Sequence, residues 1–160
     1  MTTAALLRLL RSRSKLFSML DAEAGMQLVE GAEERRLGPG TLLVEEGGAP
    51  EDFFVLLDGD ASVTLLDRGD EKYVASIGKG AFVGEIGALT GEPHNATVRC
   101  NTAVRALRFD VGRLNTVLHD HPQVREALLR LAVKRSEDNL QRLLELSMPE
   151  HEPVSAEEEM

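Results

Sequence analysis

Between Gly78 and Val98 the chain reads GKGAFVGEIGALTGEPHNATV. Gly78 and Gly80 permit positive φ, Phe82 is suited to anchoring the loop in a core, and Gly84 lets the backbone approach a ligand closely. If Glu85–Thr90 (EIGALT) coils into one turn of helix, the amides from Gly84 through Glu85, Ile86 and Gly87 to Ala88 present N–H donors at the positive end of a helix dipole. That arrangement holds an anion. Glu85 would repel such an anion, but it is well placed to accept a hydrogen bond from a sugar hydroxyl. A plainer reading stands beside this one: glycines for turns and an exposed glutamate at a helix start.

Other chemistry finds little support. His119-Asp120-His121 offers three ligand types in a row, but adjacent residues on a turn rarely converge on one ion, and no metal site is expected there. Asp120 or His121 is expected instead to cap the helix opened by Pro122. Asn95-Ala96-Thr97 spells a glycosylation acceptor, which in a chain without a secretory signal is coincidence. No paired nucleophile and base, Walker-type loop or metalloprotease motif appears, so no enzyme is expected.

Around this segment the chain changes texture three times. Leu6, Leu7, Leu9 and Leu10 give a short helical pattern, and a second helix is expected at about 18–30, with Ser18 or Asp21 as N-cap and Gly31 at its end. From Glu34 to Asp110, β-rich runs alternate with Gly-, Pro- and Asp-containing breaks. Strands are predicted at Thr41–Glu45, Phe53–Leu57, Ala61–Leu66, Tyr73–Ile77, Thr97–Arg99 and Val104–Phe109, the texture of a sandwich or barrel. Val111–Leu118 reads as a short helix. Pro122 then suits the first turn of a long helix to about Leu146, carrying Val124, Leu128, Leu131, Leu140, Leu143 and Leu144.

Charge sets further bounds. The 160 residues carry a formal net charge of −9, which argues against a stand-alone nucleic-acid binder. Residues 1–15 form a basic leader helix with Arg8, Arg11, Arg13 and Lys15 and no acid. It reads as a docking helix, with a targeting segment or a surface anchor as alternatives. Residues 147–160 hold five glutamates and little to bury, and are expected to be disordered. No apolar run is long enough to cross a bilayer. Cys100 is the only cysteine, so no internal disulfide is expected and a reducing, cytoplasmic setting is the default.

Several landmarks in order resemble the cyclic-nucleotide-binding domain family of catabolite-activator-type regulators, protein kinase A regulatory subunits and nucleotide-gated channels. They are Leu16–Phe17, Glu46–Gly47, Phe54-Val55-Leu56-Leu57-Asp58-Gly59, Gly78-Lys79-Gly80-Ala81-Phe82-Val83-Gly84-Glu85 and Ala96–Thr97. The resemblance covers about residues 15–146. It implies a mainly β jelly roll with a short phosphate-cassette helix and flanking N- and C-terminal helices, the domain spanning residues 16–146. It also implies Glu85 on the ribose 2′-hydroxyl, amides from Gly84 to Ala88 on the phosphate, and an arginine three residues before Thr97. That position holds His94, followed by Asn95. A histidine is mostly neutral above about pH 6.5 and offers one donor per face, against the charged fork of an arginine. The loss weakens phosphate binding by roughly ten- to hundredfold or more. Asn139 falls near where some members contact the purine.

Three ligand readings follow: a weak or pH-sensitive site for cAMP or cGMP, a pocket retuned for a cyclic dinucleotide or other anion, and a vestigial pocket. The expected role is a regulatory sensor or adaptor signalling through its C-terminal helix. The alternative is a degenerate domain that binds no nucleotide and acts as a protein–protein interaction module. A protein partner is expected, direct DNA binding is not, and the long helix is a candidate homodimer seam.

Overall fold

The computed structural model describes residues 2–147. In chain order the elements are α1 (Thr3–Arg13), α2 (Lys15–Met19), α3 (Ala22–Glu30), β1 (Glu33–Leu37), β2 (Leu42–Val44), β3 (Asp52–Asp58), β4 (Ala61–Asp67), β5 (Asp70–Ile77), β6 (Phe82–Val83), α4 (Glu85–Thr90), β7 (Thr97–Cys100), β8 (Val104–Asp110), α5 (Val111–His119) and α6 (Pro122–Ser147). The strands form two antiparallel four-stranded sheets, ordered β1-β8-β3-β6 and β2-β7-β4-β5. Together with the helices they make the expected jelly roll. The expected tail lies, apart from Ser147, outside the described residues.

β3 explains the layering. Its FFVLL run is buried without a break, because both faces of its sheet are covered. Phe54 and Leu56 face the second sheet, where they join Val63, Val83, Val98 and Ala106. Phe53, Val55 and Leu57 face the other way, onto helices that contribute Leu10, Phe17, Leu28, Leu114 and Leu128. Phe53 pairs across the ladder with Phe109 and stacks on it at 4.9 Å between ring centroids. Outward-facing strands keep the alternation of a half-buried sheet, as in β4, where Ala61 and Val63 are buried and Ser62 and Thr64 are less so.

Three local expectations are corrected. The helix expected at 18–30 is two helices, because Leu20 is extended between them and Asp21 starts α3 by accepting the Ala24 amide at 2.8 Å. Ser18 does not cap. It lies within α2 and its hydroxyl donates to the Lys15 carbonyl. At α6, His121 stands at the N-cap position and its carbonyl takes the Arg125 amide at 3.0 Å, but its ring does not cap: it meets the Val117 carbonyl at 2.9 Å and lies 3.6 Å from Asp21, tying α5 to α3. Asp120 ends α5 as its C-cap.

Two strands were not foreseen. β1 (EERRL) has no apolar alternation and is exposed along most of its length. It holds the sheet edge through its ladder with β8 and through pairs such as Arg105–Glu34 at 3.0 Å. β6 is only two residues long.

α1 docks by Leu7 and Leu10, and its last turn runs close against the β5–β6 turn. Gly80 has φ +85°, and a Cβ there would lie 2.0 Å from the Arg13 carbonyl oxygen. Gly69 has a similar φ of +90° with open space around it. Gly69→Ala is therefore expected to cost only the left-handed backbone penalty, about 1 kcal/mol, whereas Gly80→Ala adds overpacking and costs at least about 2 kcal/mol. Urea unfolding of the two variants checks the difference.

Candidate functional site

The cleft lies between the second sheet, α4 and α6. Gly84 opens α4 in the left-handed region at φ +89°, and a Cβ there would come 2.9 Å from the Asp52 carbonyl oxygen and 3.3 Å from His94 Cε1. Only glycine fits. Glu85 follows as the first residue of the helix, so it enters the cleft rather than solvent and is 4% exposed. The reading of an exposed glutamate at a helix start is thereby excluded. Burial pushes its carboxyl above the ordinary carboxylate range, against the pull of Arg135 and of the Glu85 and Gly84 amides.

Arg135 comes from α6. Its Nη1 donates to Glu85 Oε2 at 2.6 Å and to the Phe82 carbonyl at 2.6 Å, and its guanidinium carbon stands 5.2 Å from the centre of the Phe82 ring. Nearby, Asn95 Nδ2 donates to the Ser136 hydroxyl. Asn139 lines the same cleft, along with Gly84, Glu85, Ile86, Gly87, His94, Asn95 and Ala96. Arg135 and Ser136 escaped the sequence reading. The signal was available, since both lie within one helical turn of Asn139 and so share its face.

Two expected site residues serve the frame instead. Ala88 is buried in the helical core, and its amide is committed to the Gly84 carbonyl at 3.0 Å. Thr97 accepts the Glu46 amide on Oγ1 at 2.9 Å, while Glu46 in turn accepts the Leu66 amide. Neither lines the cleft among the described residues.

His94 is wedged under α4 and is 8% exposed. Its backbone pairs with the Gly47–Gly48 turn, and its ring packs beside Gly48, Gly84 and Gly87, where a side chain on Gly84 would crowd it. Burial lowers its pKa below the ordinary histidine value, with Asp52 and the Ala49 backbone opposing. Two cations close to this segment in sequence are engaged elsewhere: Lys79 pairs with Asp58 at 3.8 Å and Arg99 with Glu71 at 3.2 Å.

α6 is fastened along its length. Arg125 donates to the Leu89 carbonyl at 2.8 Å, close to where Asn115 of α5 bonds the Ala88 carbonyl, and Ser147 donates to Asp67 at 2.7 Å. With the helix down, the free cavity is about 40 Å³. That admits a few waters and falls far below the roughly 300 Å³ of ordinary small-molecule pockets.

The model of the cyclic nucleotide-binding domain matches residues 34–121. The chain belongs to that family. Over 96 residues it is 29% identical to the cAMP-dependent protein kinase regulatory subunit of Mycosarcoma maydis, covering 60% of this chain and 18% of the relative. It is 25% identical over 120 residues to a cyclic nucleotide-gated potassium channel of Rhizobium etli, covering 75% and 32%. Among solved structures it is similar to the regulatory domain of Toxoplasma gondii PKA co-crystallised with cAMP, at 27% identity and TM-score 0.69, covering 74% of this chain and 45% of that one. The chain thus spans less than a third of either curated relative. No helix among the described residues is long and apolar enough to cross a membrane.

The cleft holds a buried carboxylate, and that carboxylate is joined to the helix lying over it. Arg135 offsets part of the desolvation of Glu85, so Arg135→Gln leaves a buried carboxyl without its cation, pushes its pKa further up and is expected to cost more than Glu85→Gln. A double-mutant cycle is expected to give a coupling of about 1.5–3 kcal/mol at pH values where Glu85 is ionised. The coupling fades on acidification, beginning above the ordinary value of 4.5 because the Glu85 pKa is raised. The native state holds the Glu85 proton more tightly than the unfolded chain does. That contribution to stability is full below the unfolded pKa and is lost as pH rises through the folded one. Denaturation of the four proteins from pH 4 to pH 8 checks both signs.

Proposed function

We propose that this domain is a regulatory sensor or adaptor that binds a cyclic nucleotide such as cAMP or cGMP, or a related anion, weakly at neutral pH and signals through α6. The observation that carries the reading is the Glu85–Arg135 bond, which joins the candidate hydroxyl-binding residue to the helix lying over the cleft. The Glu85 carboxylate, held by Arg135 at Oε2, can also take a ligand hydroxyl. A nucleotide does not fit into about 40 Å³, so admitting one requires α6 to shift. A ligand moves that helix only as far as it prefers the shifted arrangement, and a protein partner reads the position.

Support for the ligand class comes from the family match and from the cAMP complex of the Toxoplasma gondii domain. Weak binding follows from His94, which is neutral at pH 7 because burial depresses its pKa. Gly84, Ile86, Gly87, Asn95 and Ala96 complete the wall, with Asn139 near the base. Cytoplasmic placement and pairing through α6 belong to the same proposal.

The small cavity favours a second reading, in which α6 stays closed, no nucleotide binds and the domain is a protein–protein interaction module.

An anion beside the His94 ring favours the imidazolium, so binding takes up a proton. Affinity is expected to rise as pH falls through the window between the depressed pKa of the free site and the higher pKa of the complex. Calorimetry with cAMP, cGMP and cyclic dinucleotides at about pH 6 and about pH 8 tests this, with two buffers to count the protons. His94→Arg is expected to tighten cAMP binding by about ten- to hundredfold. Silence with every ligand, in both the natural chain and that variant, supports the interaction module.

A further inference from the structure

A cyclic phosphate in this cleft needs a positive charge, and the cassette side of the wall offers none. Among the described residues that line it, the only charged side chains besides Glu85 and the titratable His94 reduce to one, Arg135. Lys79, Arg99 and Arg108 are engaged elsewhere, with Asp58, Glu71 and Asp52. Arg135 is also held in an unusual way. Both of its hydrogen bonds pass through Nη1, one to Glu85 and one to the Phe82 carbonyl, and the Phe82 ring supports its plane. Nε and Nη2 make no hydrogen bond among the described residues, and the side chain is one-third exposed, at 33%.

Nε and Nη2 form one edge of the guanidinium and carry parallel N–H donors, the geometry that takes two oxygens of a phosphate. Anchoring at Nη1 means that little freedom remains to be lost when that edge is used.

We propose that Arg135, delivered by α6, is the residue that neutralises the phosphate of a cyclic nucleotide in this domain, through its Nε–Nη2 edge. This rests on the reading that the cleft binds such a nucleotide. The charge comes from the moving helix, while the cassette contributes amides and a hydroxyl acceptor. A phosphate then draws α6 back over the cleft after entry, and an uncharged nucleoside lacks that pull.

The test compares cAMP with adenosine, which shares base and ribose but has no phosphate, by calorimetry on the full chain at pH 7.5. The natural protein is expected to prefer cAMP. Arg135→Gln should reduce the cAMP-to-adenosine affinity ratio by about tenfold or more, Arg135→Lys by less, and His94→Arg added to Arg135→Gln should restore it. An independent reading needs no variant. The Nε–H resonance of Arg135 should shift with cAMP and move little with adenosine. An unchanged ratio in Arg135→Gln, or a resonance that responds equally to both ligands, overturns the assignment while leaving nucleotide binding intact. Failure of the natural chain and of His94→Arg to bind cAMP or cGMP defeats the nucleotide reading, and the assignment with it.

Discussion

A carboxylate sealed from water must be neutralised, either by a proton or by a cation, and in this domain that requirement ties the cleft to the terminal helix. Glu85 is buried because Gly84 turns the chain inward, and the cation that meets it arrives on α6 from fifty residues further along. Removing water from an ion pair costs about as much as the pair returns. The bond is therefore poorly explained as a device for stability alone, and better explained as a contact that something else can replace. Its surroundings fit that view: Phe82 carries the guanidinium on its ring and its carbonyl, which keeps Arg135 in place without occupying the rest of its donors.

The frame serves this contact by holding two cores in register. One lies between the sheets and forms the wall beneath the ligand space, while the other lies among the helices and seats α4, α5 and α6. β3 belongs to both. α4 is clamped at its far end by Asn115 and Arg125, so the cassette, α5 and the start of α6 are one hydrogen-bonded unit. A shift of α6 is resisted at its beginning and at Ser147, which leaves the segment around Arg135 and Ser136 as the part whose contacts lie within the cleft itself.

Much of the frame was legible in the chain because the local signals agreed with the fold. The six strands foreseen are those with apolar or alternating runs, and EIGALT coils into the helical turn expected after Gly84. β1 was not legible because its charged residues are satisfied by partners on β8, a relation between distant residues that no local pattern carries. The split at Leu20 was hidden by an apolar residue that fits either helix or extended chain. In the site, Glu85, His94 and Asn95 sit together as expected, since a compact motif brings its own geometry. Ala88 and Thr97 showed the limit of that approach: both lie inside the motif, but one amide closes the helix and one hydroxyl closes a turn. Arg135 was missed for the opposite reason. It lies outside the motif, and only the docking of α6 discloses its role.

The double covering of β3 also bears on how this chain can vary. Each of its side chains from Phe53 to Leu57 is fitted against either the sandwich or the helical layer, and neighbours along the strand answer to different layers. Enlarging or trimming one of them disturbs a core whose counterpart begins at the next residue, so compensation within the strand is blocked. Substitution is expected to be borne more easily at the rim, on β1, on the outer face of α6 and in the hairpin at Arg68–Gly69, where side chains are exposed.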